Sequence, residues 1–304
     1  MEIFVLKSDE VAAITRGTHG NPHHILGMHQ CLNDCYVNAY LPRATAAFVL
    51  RINEETGEPI FKYPMTEIGS QGFFTVKIED SGAFAYKLIT EGEQAAEFYD
   101  PYSFGYSVDP VNVMKVVNGD DGILSDFHVK DLFGARQITL DGVQGVSFCM
   151  NMPGATRVSV VGDFNGWDGR VNPMRRIDYT DMFELLIPGD LMNTRYKFEA
   201  LYRDGNTDIF ADPYAEVYEV APGNASVLAK LEYSWLDSSY MKKRGSVSAP
   251  VNIYEVHMPT WKRNSDGYPL NYLEFGKEAA MYVKNMGYNY ICLLYTSDAA
   301  DDLT

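Results

Sequence analysis

The chain has 304 residues, 46% of them hydrophobic and 22% charged, with a formal net charge of −16 and a pI near 4.7. Charge of that sign and size repels phosphate backbones and anionic lipid, which argues against nucleic acid and membrane as partners and leaves a neutral partner unpenalised. The opening MEIFVLKSDE has no basic stretch followed by an apolar core, no run approaches membrane-spanning length, and four cysteines in a chain this long make no disulfide framework, so a cytoplasmic location is expected.

Short strand-like runs begin early, and they occur twice. Leu26-Gly27-Met28-His29-Gln30 is echoed by Phe133-Gly134-Ala135-Arg136-Gln137, and Tyr40-Leu41-Pro42-Arg43-Ala44-Thr45 by Asn151-Met152-Pro153-Gly154-Ala155-Thr156. Pro64-Met65 matches Pro173-Met174, Tyr86-Lys87-Leu88 matches Tyr196-Lys197-Phe198, and Asp100-Pro101-Tyr102 matches Asp212-Pro213-Tyr214. Anchors in the same order at a nearly constant offset describe a tandem duplication of a module of roughly a hundred residues, the size of one sandwich domain. In the second copy VSFCMNM, RVSVVGDF, MFELLIP, RYKFEALY and ASVLAKL are bounded by PGAT, FNGWDG, DYTD, RDGNTD and APGN, the spacing of antiparallel strands rather than of βαβ units. Between the copies GDDGILSDFHVKD reads as a linker with a helical turn.

After a second linker the pattern changes. Residues 252–257 read as a strand; Asn271 caps a helix with Glu274 returning the bond, Leu270 and Phe275 are placed for a hydrophobic staple, and Phe275, Ala279, Val283 and Met286 recur at helical spacing until Gly287. A new apolar strand starts at Tyr288. This is one βαβ unit, the opening of a parallel α/β structure.

Val160-Val161-Gly162-Asp163-Phe164-Asn165-Gly166-Trp167-Asp168 closely resembles the GDFNxW signature of the family-48 carbohydrate-binding modules, and the similarity continues through the second copy. Residues 15–29 (TRGTHGNPHHILGMH) resemble the extra amino-terminal module of bacterial glycogen branching enzymes, and residues 250–261 (PVNIYEVHMPTW) the first barrel strand of the same enzymes. The resemblance implies a mainly β chain of two tandem immunoglobulin-like β-sandwich modules followed by the first βαβ unit of a truncated (β/α)8 barrel. It divides the chain into a first sandwich (1–115), a linker (116–134), a carbohydrate-binding sandwich (135–232), a linker (233–249) and the start of the barrel (250–291). From Cys292 the family pattern breaks: CLLYTSDAADD resembles the translation of a transposon-based sequencing adapter, and residues 292–304 are expected to be non-native read-through.

The resemblance also implies a retaining glucan transferase in which an Asp attacks, a Glu passes the proton and a second Asp steadies the transition state. Those carboxylates lie on later barrel strands, so no catalytic residue is carried onto this chain, which is expected to be inactive by itself; no cofactor and no metal are implied. The implied partner is α-glucan, and the family's contact positions fall on Trp167 in a Gly-rich turn, the strand residue Lys197 and, before the last strand, Asn224. The second stacking Trp of glucan-binding members has no counterpart in RDGNTDIF, so Trp167 has two open roles, sugar stacking or anchoring of its turn. A free-standing glucan-binding scaffold and the front of a debranching enzyme remain as alternatives.

Other chemistry-bearing residues have plainer explanations. His19, His23, His24 and His29 crowd one segment near Cys31 and Cys35, but their spacing matches no closed four-ligand zinc pattern, which favours loop packing. Asp100 and Asp212 precede prolines and read as turn formers, Cys149 as a buried hydrophobe, and Glu255 with His257 as supports on one face of a strand.

Overall fold

Alternation of side chains across a pleated strand decides which residues meet in a core, and in both copies of the repeat it builds two facing sheets. The computed structural model describes residues 6–31, 33–69, 71–79, 82–92, 95–119, 132–230, 234–242 and 250–294. The expected helical turn in the segment joining the copies and most of the expected read-through tail lie outside these residues.

A short helix, α1 (Ser8–Thr15), precedes eight strands: β1 (Gly27–Cys31), β2 (Asp34–Tyr40), β3 (Ala46–Ile52), β4 (Pro59–Pro64), β5 (Thr66–Ile68), β6 (Phe73–Ile78), β7 (Tyr86–Glu91) and β8 (Ala96–Tyr99). They form antiparallel sheets in the orders β1-β2-β6-β5 and β4-β3-β7-β8. Cys35, Val37 and Ala39 of β2 and Ile78 of β6 meet Val49 of β3 and Tyr86 and Leu88 of β7 in a shared core. The second copy contributes β9 (Gly134–Leu140), β10 (Val143–Asn151), β11 (Ala155–Gly162), β12 (Arg175–Arg176), β13 (Met182–Pro188), β14 (Arg195–Tyr202), β15 (Thr207–Phe210), β16 (Val217–Tyr218) and β17 (Ser226–Val227). Its sheets run β9-β10-β13-β12 and β11-β14-β17-β16, with β15 also on β14. Val146, Phe148, Phe183 and Leu185 from one sheet pack on Val158, Val160, Tyr196 and Phe198 from the other.

The strand order of the first sheet is the same in both copies, and the sequence anchors now have physical meaning. Tyr86 donates its hydroxyl to Asp100 at 2.6 Å and Tyr196 to Asp212 at 2.6 Å, while each carboxylate also accepts a backbone N–H two residues on, from Tyr102 at 2.9 Å and Tyr214 at 2.8 Å. The aspartates are therefore turn formers locked by a buried tyrosine. The anchor Gly27 has φ of +92°, and a β-carbon there would lie 2.4 Å from the Tyr102 carbonyl oxygen. Gly142 has φ of +78° with nothing within 4 Å. Gly27→Ala is expected to cost ~2 kcal/mol and Gly142→Ala ~1 kcal/mol, read from urea unfolding midpoints; equal costs would show that the Tyr102 carbonyl yields freely.

The copies differ at the edge of the second sheet. The first extends β3 with the hairpin strand β4; the second instead carries a loop from Asp163 to Asn172 that folds back along β11, where Val160 donates its N–H to the Asn172 carbonyl and Ser159 bridges Pro173. After Tyr102 the first copy continues into α2 (Pro110–Val117), capped by Asp109 and started by Pro110. Val113 of this helix and Val108 before it pack on Leu132, Phe133, Cys149, Ile177 and Met182, covering the outer face of the β9–β13 sheet. Residues 1–231 accordingly form one compact unit. Among the described residues of the expected strand ASVLAKL, only Ser226 and Val227 are paired as strand; Leu228 instead exchanges backbone bonds with the Asn193–Thr194 turn.

Residues 232–304 form a second unit. It contains α3 (Ser238–Met241), β18 (Ile253–Val256), α4 (Met258–Trp261), α5 (Tyr272–Asn285) and β19 (Tyr290–Leu293), with β18 and β19 parallel. The capping box forms as read: Asn271 Oδ1 accepts from the Glu274 N–H at 2.9 Å and Glu274 accepts from the Asn271 N–H at 3.1 Å. Leu270, Phe275 and Ala279 are buried with Val256 and Met258. Met286 does not join them; it is the C-cap, one residue past the helix's end at Asn285, and is 57% exposed.

Candidate functional site

Everything at the GDFNGW segment hangs on Asn165. Its buried side chain accepts from the Gly162 N–H at 2.9 Å and the Trp167 N–H at 3.2 Å, and donates to the Val160 carbonyl and to Asn172 Oδ1, both at 2.8 Å. Two consecutive residues, Gly166 (φ +62°) and Trp167 (φ +63°), then take the left-handed conformation. Glycine does so freely, whereas tryptophan pays about 1 kcal/mol of strain, which persists only where surrounding bonds over-determine the turn. The result is a tryptophan held at the surface, 37% exposed.

Its indole N–H donates to Asp163 Oδ1 at 3.2 Å, so the N–H is engaged while the residue stays at the surface. Asp163 is gripped in turn by Arg195, through the backbone N–H, Nε and Nη2, each at 3.0 Å. Arg195 reaches on to Glu219 at 3.1 Å, and Glu219 accepts the Ala225 N–H at 3.0 Å. The Arg195 guanidinium holds the Asp163 carboxyl below its ordinary range, and the Ala225 N–H together with Arg195 does the same for Glu219.

Lys197 stands two residues along β14 from Arg195, on the same outer face, because Tyr196 and Phe198 between and beyond them point into the core. Its ammonium donates to Asn224 Oδ1 at 2.5 Å. Lys197 and Asn224 are thus in direct contact, and Trp167 is linked to the same sheet face through Asp163 and Arg195. Sequence reading missed Asp163, Arg195 and Glu219. The signal lay in the acidic residue of GDFN and the arginine of RYKF, but their pairing depends on the register that sets Gly162 opposite Tyr196.

The assembly offers an aromatic face, an amide and an ammonium, with two carboxylates and two cations whose formal charges cancel. Neutral, polar surface beside an exposed aromatic ring suits a polyhydroxylated, uncharged ligand. The histidine segment is tied up differently: the Asn21 N–H donates to His19 Nδ1 at 3.2 Å, His24 Nε2 contacts the Asn21 amide at 3.2 Å, and His23 lies edge-on to Tyr102 at 5.0 Å. Among the described residues, no group of three or more His, Cys, Asp or Glu side chains is placed to hold a metal. Cys149 is buried, and burial pushes its thiol up to about 12. Glu255 is exposed, and His257 Nδ1 bonds the Thr260 hydroxyl at 2.9 Å.

Residues 7–102 match the family model described as the N-terminal domain of the alpha-1,4-glucan branching enzyme GlgB, and residues 132–215 match carbohydrate-binding module 48, the isoamylase N-terminal domain. Module by module, the tandem is thus similar to a branching-enzyme N-terminal domain followed by a carbohydrate-binding module. More particularly, the chain resembles, over almost all of its length, the amino-terminal part of bacterial 1,4-alpha-glucan branching enzymes. It is 35% identical over 294 residues to the enzyme of Paramagnetospirillum magneticum, covering 94% of this chain and 38% of that one, and 35% identical over 304 residues to the enzyme of Rhodospirillum rubrum, covering 96% and 40%. It thus spans about two fifths of the length of these relatives. A pullulanase from Paenibacillus barengoltzii, solved with maltotetraose, is 30% identical over 25% of this chain and 12% of its own, with a TM-score of 0.24, too partial a likeness to bear on the fold.

Proposed function

We propose that the chain is the amino-terminal part of a 1,4-α-glucan branching enzyme, in which the second module contacts α-glucan through Trp167, Lys197 and Asn224. The observation that carries the glucan contact is the Lys197–Asn224 pair on the same strand face as Arg195, whose partner Asp163 holds a surface tryptophan by its N–H. A sugar ring stacks on the indole while its hydroxyls exchange hydrogen bonds with the ammonium and the amide. In this reading the modules are immunoglobulin-like sandwiches, and β18-α5-β19 is the first unit of a (β/α)8 barrel. Ile253, Glu255 and Tyr290, exposed on the face away from α5, then face the barrel interior. The transfer of α-1,4-linked segments to 6-hydroxyls belongs to carboxylates on later strands, and none is assigned among these residues.

Binding of maltoheptaose, followed by titration calorimetry or by retardation in glycogen-containing gels, tests the glucan contact. Trp167→Ala is expected to weaken it about tenfold, since stacking contributes up to ~1.5 kcal/mol, and Lys197→Ala by a few-fold. Unchanged binding in Trp167→Ala would leave the indole as a turn anchor only.

A further inference from the structure

The Trp167 loop is not a free-standing feature of the second module. Its far side rests on the first. The Tyr102 hydroxyl lies 3.2 Å from the carbonyl oxygens of both Val171 and Pro173, the residues that return the loop to β12. Arg43, in the turn between β2 and β3, donates to the Asn165 carbonyl at 3.4 Å, and its guanidinium stands where a β-carbon on Gly166 would fall, 2.0 Å away. Arg170, bonded to Asp168 at 2.7 Å, lies 5.8 Å from the Tyr40 ring, and a β-carbon on Gly17 would meet it at 2.8 Å. Contacts from α1's end, from β2, from the β2–β3 turn and from the Asp100–Tyr102 turn thus converge on one loop.

That loop holds two left-handed residues in succession, one of them the tryptophan, which a surface segment keeps only when its surroundings leave no alternative. Inside the second module the determining bonds come from Asn165 and Asp163, with Val160 holding Asn172; at Val171 and Pro173 the return limb is held from the first module as well. The repeat provides an internal contrast. Tyr214, the second-copy counterpart of Tyr102, stacks on Phe133 with centroids 5.0 Å apart and planes at 15°. The same anchor position has been turned toward the neighbouring module in one copy only.

We infer that the first module is the scaffold that sets the Trp167 loop, with Tyr102 as its main positioning residue and Arg43 as a second. As a statement about glucan affinity this rests on the function proposed above; as a statement about the loop it does not. The mechanism is preorganisation: a ring already held in the stacking orientation loses less freedom when a sugar docks.

The test uses the full chain labelled with 5-fluorotryptophan, the Trp167 fluorine resonance being assigned through Trp167→Phe. Tyr102→Phe removes one oxygen and keeps the buried ring; Arg43→Ala is a surface variant in case the first unfolds; Tyr214→Phe is the control. Tyr102→Phe and Arg43→Ala are each expected to shift or broaden the Trp167 resonance and to weaken maltoheptaose binding by about fivefold, with Tyr214→Phe unchanged in both. A Trp167 resonance that stays put in Tyr102→Phe and Arg43→Ala overturns the inference, whatever the glucan affinity. A resonance that moves in a chain that does not bind maltoheptaose upholds the scaffold role and removes only the glucan function.

Discussion

Replacing Glu184 with alanine is expected to destabilise the 1–231 unit by about 3–5 kcal/mol, the range for stripping one partner from a buried ion pair. Glu184 is fully buried at the centre of β13, on the sheet face away from the module's core. One carboxylate oxygen accepts from Arg175 Nε at 2.7 Å, and the other from the Ser107 N–H at 3.0 Å and the Ser107 hydroxyl at 2.5 Å. Ser107 also contacts the Ser147 hydroxyl at 2.8 Å, and Arg175 lies over Tyr106 at 3.9 Å. Alanine would leave the 13%-exposed Arg175 without its counter-charge and the Ser107 N–H without its acceptor. Because Ser107 belongs to the segment that leads into α2, the loss should also loosen that segment from the sheet. Urea unfolding reads the first effect and limited proteolysis between residues 101 and 117 the second. Ser107→Ala, which removes only a hydroxyl, should cost about 1 kcal/mol. A Glu184→Ala cost below that of Ser107→Ala would mean that the sheet face and the strap separate without penalty.

Acid is the second strong probe. Burial, with the nearby Arg175 cation and His24 and His29 adding to it, lowers His23 to about 2, and its Nδ1 is enclosed without a hydrogen-bond partner. A histidine whose folded value is depressed binds its proton more readily in the unfolded chain. Its contribution is therefore fully present above pH 6.5 and lost as pH falls below it, by up to ~1.4 kcal/mol per pH unit. Asp100 has the opposite sign: burial raises its carboxyl to about 6, so its contribution is fully present below about 3.8 and lost as pH rises through 6. Between pH 6 and 4 the two slopes oppose each other. His23→Phe, which keeps a ring against Tyr102, should gain on the wild type steadily below pH 6.5, by ~2–3 kcal/mol at pH 4.5. Asp100→Asn should instead make the wild-type acid loss steeper. Unfolding midpoints taken from pH 7.5 to 4.5 check both, and parallel pH profiles for His23→Phe and the wild type would show that His23 is protonated without hindrance in the folded chain.

Much of the local structure was legible from residue order. β13 and β14 run Met182–Pro188 and Arg195–Tyr202, the same runs that alternation and turn residues marked out. The Asn271–Glu274 capping box and the Leu270–Phe275 contact followed from spacing alone, because a helix start is satisfied within four residues. The duplicated Tyr-Lys and Asp-Pro-Tyr anchors stood out before any fold was known, since each repeat needs the same tyrosine–aspartate lock.

What sequence could not supply lies between segments far apart in the chain. Glu184 sits inside MFELLIP, an apolar run in which its burial on the outer face depends on a covering strap whose Ser107 lies 77 residues earlier. The Asp163–Arg195–Glu219 chain required the β11–β14 register, and the support of the Trp167 loop by Tyr102 and Arg43 required two modules to be packed as one unit. Periodicity and capping are decided by neighbours within a turn or two of backbone, so the sequence by itself determined the repeat, most strands and the position of the surface tryptophan. Register, burial of charge and contacts between modules are decided by which faces are left uncovered once strands have paired, and only the tertiary structure settled those.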